Sequence, residues 1–300
     1  MVWDKCNIIL HSASDKCFYT NNIITGSIVL EFTSKRKVER VDMRVQGSCE
    51  AQWSRFSPTI PYLKIYSDKY DVLSVAFDTF ENINGRTVNP GVYTYQFNLF
   101  LQSDLPSTYE DSIAKVRYRV IVEGKSKTGF KLYNKVLPFT VKNYSDLNDA
   151  SIDYKVPLIF EGKKSTCFGN FTLYMKTYRG FAPNQRLPIQ VILENKSRIK
   201  VKLIEITLIQ KIEYNITEGF HNRDKRICST MHKDIQSLKD EQYRIYLEMP
   251  SLVPSTVNET NPMVTISYVL EVKVSFRYHT SLYYDIPVVI STVPVAHVNF

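Results

Sequence analysis

The sequence predicts an all-β protein of two tandem β-sandwich domains, and three observations carry that expectation. Apolar and polar residues alternate with period two in many separate stretches, the pattern of half-buried strands. Aromatic residues make up 13% of the chain, chiefly 20 Tyr and 16 Phe, whose side chains pack well on a pleated surface. Helical patterning is thin, and many strands with little helix mean a sandwich or a barrel. Three hundred residues suffice for two ordinary domains. A hydrophobic share of 44% with 23% charged residues gives each a core and a polar surface.

Near the amino end, residues 28–32 and 38–45 read as strands, which puts Lys35-Arg36-Lys37 on a hairpin tip between them. Tyr93-Thr94-Tyr95-Gln96-Phe97-Asn98-Leu99 alternates without a fault, and so does Val116-Arg117-Tyr118-Arg119-Val120. The carboxylate pairs Glu110-Asp111 and Asp240-Glu241 fall at turns. Adjacent residues on a strand point to opposite faces, so such neighbours seldom converge on one substrate. After the run ending Phe139-Thr140-Val141, the polar stretch 143–155 reads as a linker. It divides the chain into domains at 1–147 and 148–300, each of ordinary sandwich size.

A second series of strands is expected from about Cys167. Ile204, Ile206, Leu208 and Ile212 oppose Glu205, Thr207, Lys211 and Glu213. Val264, Ile266, Tyr268, Leu270, Val272, Val274 and Phe276 fall on one face of a long strand, with Thr265, Ser267, Val269, Glu271, Lys273 and Ser275 on the other. The best helical candidate, residues 234–242, is short and lacks an apolar stripe.

The net charge of +8 and pI near 9.0 favour acidic partners, such as anionic lipid, nucleic acid or phosphorylated peptide. The cations are scattered singly, as at Arg117 and Arg119, which is not the pattern of a nucleic-acid-binding arm or helix. Ile8-Ile9-Leu10 is too short for a signal peptide, and no window approaches the length of a membrane span. Five cysteines, odd in number and without a C-x-x-C pair, fit reduced thiols. Sequons begin at Asn143, Asn170, Asn195, Asn215 and Asn258, but without a signal peptide none meets the glycosylation machinery. The expected location is therefore cytoplasmic.

Catalytic signatures are missing. Neither G-x-G-x-x-G, G-x-x-x-x-G-K-[ST] nor G-x-S-x-G occurs. His221, Cys228 and His232 are suitable metal-ligand types within one loop-like stretch, yet their spacing is not that of a closed zinc site. The expectation is a protein with no catalytic residue, metal or cofactor.

Several segments together resemble the arrestin fold, in its α-arrestin (arrestin domain-containing) branch. Gly26-Ser27-Ile28-Val29-Leu30-Glu31, then Val38-Glu39-Arg40-Val41 and Val45-Gln46-Gly47 ending near Trp53, resemble that family's opening strands. Tyr93 to Phe97, Leu105-Pro106-Ser107-Thr108-Tyr109-Glu110 and Val116-Arg117-Tyr118 are similar to its Y-x-Y-x-F strand, LP-S-S-Y/F-E turn and V-R-Y strand. In the second half, Cys167-Phe168-Gly169 opens a strand, and Tyr178 to Pro183 precedes Ile189-Gln190-Val191-Ile192-Leu193-Glu194-Asn195-Lys196-Ser197. Ile266-Ser267-Tyr268 and Ile286-Pro287-Val288-Val289-Ile290-Ser291-Thr292-Val293-Pro294 look like its closing strands. Asn184-Gln185 and Ser291 depart from the family's usual Gly-Glu and Gly. No Pro-Pro dipeptide occurs, so the Pro-Pro-x-Tyr motif with which members dock WW domains of ubiquitin ligases is lacking.

The resemblance implies tandem arrestin-like, immunoglobulin-like sandwiches and a non-enzymatic adaptor in membrane-protein trafficking, recruited to plasma membrane or endosomes. Implied partners are cytoplasmic segments of receptors or transporters, trafficking or ubiquitin-ligase machinery, and an acidic lipid surface, with no nucleic acid. A structural subunit of a retromer-type endosomal coat is the alternative. The exposed cations expected to meet such partners are Lys35, Arg36 and Lys37 in the first half and Arg223, Lys225 and Arg226 in the second.

Overall fold

The computed structural model describes residues 3–11, 17–56, 62–126, 128–166, 169–197, 199–233, 235, 241–257 and 262–298. The chain forms two compact units. One comprises Met1–Tyr144 with Asn215–Gly219 and Asn258–Met263; the other comprises Ser145–Tyr214, Phe220–Val257 and Val264–Phe300.

The first unit holds β1 (Lys5–Leu10), β2 (Cys17–Tyr19), β3 (Ile23–Phe32), β4 (Arg36–Lys37), β5 (Arg40–Phe56) and β6 (Leu63–Phe77). They are followed by β7 (Thr87–Val88), β8 (Gly91–Phe100), β9 (Tyr109–Glu110), β10 (Ala114–Lys125) and β11 (Lys131–Lys142). One sheet has the order β1-β3-β8, and the other β2-β11-β10-β5-β6 with β9 beside β10. Alternation builds the core between them. Ile24, Ile28, Leu30 and Phe32 of β3 are buried, as are Val41, Met43 and Val45 of β5 and Tyr118, Val120 and Val122 of β10.

The motif most diagnostic in sequence is a structural lock. Tyr118 Oη donates to the Pro106 carbonyl at 2.6 Å, and the Val141 and Asn143 amides donate to the Thr108 and Ser107 hydroxyls. The Asn143 side chain donates to the carbonyls of Ser103 and Leu105 and is 3% exposed, so this sequon residue is consumed by the fold. Gly47 is required opposite: a Cβ there would stand 2.5 Å from the Tyr118 ring.

The second unit begins with a 3₁₀ turn at Ile152–Tyr154, capped by the Ser151 hydroxyl. Its strands are β12 (Leu158–Thr166), β13 (Gly169–Thr177), β14 (Gly180–Phe181), β15 (Arg186–Asn195) and β16 (Val201–Ile216). Then come β17 (Gly219–His232), β18 (Glu241–Glu248), β19 (Val264–Phe276) and β20 (His279–Ile290). The sheets run β12-β13-β15-β18 and β14-β20-β19-β16-β17. The apolar face read from the sequence at 264–276 is buried at every position, as are Phe171, Leu173 and Met175 of β13 and Leu187, Ile189, Val191 and Leu193 of β15. Among the described residues no helix is long and apolar enough to cross a membrane.

Four sequence expectations need correction or placement. Residues 28–32 and 38–45 do not flank a hairpin: β3 lies in one sheet and β5 in the other, so Lys35 to Lys37 cross between sheets, with β4 pairing β7. The second series of strands starts at Leu158 rather than near Cys167. As an edge strand, β12 leaves Ile159 69% exposed and carries polar residues on both faces, which erases the alternation. Residues 219–232 form a strand, not a loop. Of the helical candidate at 234–242, Glu241 and Gln242 belong to β18, while 234 and 236–240, like Cys167, lie outside the described residues.

Candidate functional site

Across β5, β6 and β10 the register sets out a surface. Glu50 pairs with both Lys69 and Lys115, Gln52 with Ser67, Ser54 with Ile65, and Phe56 with Leu63. Directly paired residues share a sheet face, so all of these stand on one side. It is the side away from the core, because the intervening Cys49, Ala51 and Trp53 are buried. An open groove of about 530 Å³ follows this face, walled by Ser112 and Ile113.

The groove changes character along its length. At the inner end, Lys69 and Lys115 approach Glu50 at 3.5 and 4.0 Å, two cations against one carboxylate. At the outer end, Leu63 is 48% exposed and Ile65 59%; Phe56, on the same sheet face beyond the groove, is 78% exposed. Six residues of extended chain from Glu50 to Phe56 cover about 20 Å. On the opposite face Trp53 stacks on Tyr66 at 5.6 Å and 10°, stiffening the hairpin beneath the groove. Glu110 and Asp111 beside it act structurally: Glu110 grips Arg117 through two hydrogen bonds, and Asp111 accepts the Ile113 and Ala114 amides. The Arg117 contact holds the Glu110 carboxyl below its usual range.

The six cations expected from sequence divide. Arg36 is tied to Asp4 at 2.7 Å, and the Thr33 amide and hydroxyl donate to the same carboxylate. The Thr33 amide first, then Arg36, hold the Asp4 carboxyl below its usual range despite partial desolvation. Arg36 therefore pins the crossing between sheets, while Lys35 and Lys37 on either side are exposed. In the second unit, Arg223, Lys225 and Arg226 are exposed on β17, an edge strand of its sheet. Arg223 and Lys225 share one face; Arg226 lies on the other, 3.5 Å from Glu271.

His221, Cys228 and His232 do not converge. On β17 His221 and Cys228 point to opposite faces, and Cys228 and His232 stand about 13 Å apart along the strand. Among the described residues no group of three or more His, Cys, Asp or Glu side chains is placed to hold a metal ion. Sequence reading missed the groove, although the run of Phe56, Tyr62, Leu63 and Ile65 without an acidic neighbour was a visible signal.

Comparison with known proteins agrees with this architecture. Residues 6–148 match the family model of the arrestin (or S-antigen) N-terminal domain, and residues 177–295 match that of the C-terminal domain. The chain belongs to the arrestin family. It is similar to arrestin domain-containing protein 15 of Caenorhabditis elegans, 21% identical over 70% of this chain and 62% of that protein. Arrestin domain-containing protein 17 of the same organism is 20% identical over 95% of this chain and 70% of that protein. An arrestin domain-containing protein of Schizosaccharomyces pombe is 23% identical over 85% of this chain and 44% of that protein. The chain thus spans between under half and about two thirds of the length of these arrestin relatives.

Proposed function

We propose that this arrestin-family chain is a non-catalytic adaptor in membrane-protein trafficking, cytoplasmic and recruited to membranes by cargo. Its groove on β5, β6 and β10 holds a short cytoplasmic segment of a receptor or transporter. The observation that carries the reading is the gradient of that groove. Lys69 and Lys115 outnumber Glu50 at one end and suit a carboxylate or phosphate, and Leu63 and Ile65 at the other suit apolar side chains. Exposed Lys35, Lys37, Arg223, Lys225 and Arg226 add attraction for acidic surfaces and speed encounter more than they strengthen binding. No Pro-Pro-x-Tyr motif occurs within these 300 residues.

Proximity labelling in cells tests the reading, with wild type beside Lys69→Glu/Lys115→Glu as baits. The expected result is labelling of membrane cargo by the wild type and its loss in the groove variant, with equal expression of the two. Cargo labelling unchanged by the double reversal would remove the groove from the mechanism.

A further inference from the structure

The three-stranded sheet of the first unit ends on a strand whose free edge is unguarded. β8 pairs with β3 on one side only. On β3 the Thr25 and Glu31 carbonyls accept from the His11 and Asp4 amides on the β1 side, while Leu101, just past β8, donates to the Asn22 carbonyl. Thr25 stands opposite Asn98 and Glu31 opposite Val92. The alternation of an antiparallel ladder therefore turns the N–H and C=O groups of Val92, Thr94, Gln96, Asn98 and Phe100 away from β3. Among the described residues no strand pairs with that side, and all five residues are exposed. Gly91 to Phe100 holds neither a charged residue nor a proline. The other edge strands of six residues or more, β1, β6, β12, β17 and β18, each carry at least one charge. Charges and prolines are what keep a free edge from pairing with another chain.

The strand's own sequence identifies the occupant. Turned antiparallel on itself about Gln96, it sets Val92 opposite Phe100, Thr94 opposite Asn98 and Gln96 opposite its own copy on the outer face. On the inner face Tyr93 meets Leu99 and Tyr95 meets Phe97. Outer apolar residues meet apolar, outer polar residues meet polar, and no charge is brought to the contact. At each outer pair the free backbone groups exchange two hydrogen bonds. Such self-complementarity is what an isologous two-fold contact requires, and a foreign peptide has no need of it. The strand is also held ready. Tyr95 packs on Phe80 at 4.7 Å and donates to the Asn82 side chain, and Phe97 meets Phe77 at 5.8 Å, so pairing demands little new order.

We propose that β8 pairs antiparallel with β8 of a second copy of this chain, about a two-fold axis at Gln96, joining two three-stranded sheets into one. The contact uses no residue of the groove on β5, β6 and β10 and does not depend on what that groove holds. A dimer carries two such grooves, which multiplies avidity for clustered cargo segments.

Sedimentation velocity of the full chain over a range of concentrations tests this without any cargo. Wild type is expected to form a reversible dimer with a Kd on the order of micromolar, as suits a contact of one strand per partner. Gln96→Pro removes the central free N–H at a position where an edge strand tolerates proline, and is expected to raise the Kd about tenfold or more. Thr94→Lys/Asn98→Lys sets like charges directly opposite and is expected to abolish the dimer. Thr94→Lys/Asn98→Glu sets opposite charges there and is expected to restore a Kd within about threefold of wild type. The substituted side chains are exposed, and a calorimetric Tm near that of wild type confirms that each variant folds. Wild type that stays monomeric overturns the proposal, including the case in which this edge takes an extended peptide of another protein. A dimer indifferent to Gln96→Pro and to the Lys pair lies elsewhere on the molecule and overturns it too. A Lys/Glu variant that fails as fully as the Lys/Lys variant overturns the register.

Discussion

Tyr268→Phe removes one oxygen from the core of the second unit, and the structure says what that costs. The ring is 1% exposed; its hydroxyl donates to the Val253 carbonyl at 2.6 Å and accepts from the Gln210 amide at 2.8 Å. Burial pushes the phenol well above its ordinary pKa, so it is a neutral donor at every physiological pH. Without the oxygen, the Val253 carbonyl loses a donor and the Gln210 side chain, 6% exposed, keeps an amide hydrogen with no acceptor at that point. An orphaned buried group costs about 1–3 kcal/mol, and the carbonyl keeps its other lone pair. The expected loss is therefore about 2–3 kcal/mol, or roughly 5–10 °C in Tm for a unit of this size. Scanning calorimetry is the assay, since Trp3 and Trp53 both lie in the first unit and their fluorescence reports on it alone. In a Gln210→Leu background the same change is expected to cost about 1 kcal/mol less, because the orphaned amide is already gone. A loss below about 0.5 kcal/mol, or strict additivity of the two changes, would refute the reasoning.

Three further outcomes follow from the geometry. Gly47→Ala is expected to destabilise the first unit by about 1–3 kcal/mol in urea unfolding followed by tryptophan fluorescence, because its Cβ meets the buried Tyr118 ring at 2.5 Å; an unchanged midpoint would show that the ring moves freely. Arg36→Ala is expected to lower the Tm of the first unit by freeing the crossing from Asp4, whereas Lys35→Glu/Lys37→Glu leaves Tm unchanged; the reverse ranking in calorimetry would contradict the structural role given to Arg36. His297 stacks on Tyr178 at 4.0 Å and donates from Nε2 to the Gly180 carbonyl, and burial lowers its pKa from 6.5 although that hydrogen bond opposes the shift. The unfolded chain then takes up the proton first as pH falls, so the stability this residue contributes is present above about pH 6.5 and lost as pH falls through the lower folded pKa. Wild type should lose more Tm on acidification from about pH 7.5 to about pH 5 than His297→Gln does, and parallel curves would exclude the effect.

Period-two alternation is a local signal of one-sided burial, and where a strand has one buried face the sequence determined it. Residues 264–276 coincide with β19, and the Y-x-Y-x-F run lies within β8. The LP-S-T-Y-E and V-R-Y motifs were legible as a family mark because the lock between Tyr118, Pro106, Ser107, Thr108 and Asn143 admits few residue types. Edge strands such as β12 and β17 escaped, since polar residues on both faces of the strand leave no apolar alternation to read. Only tertiary structure decided that Arg36 belongs to Asp4, 32 residues away, and that β3 and β5 part into different sheets. It also decided that Glu50, Lys69 and Lys115 share a face with the exposed Leu63 and Ile65. Register between distant strands follows from packing the whole sheet, and no local stretch of sequence carries that sum.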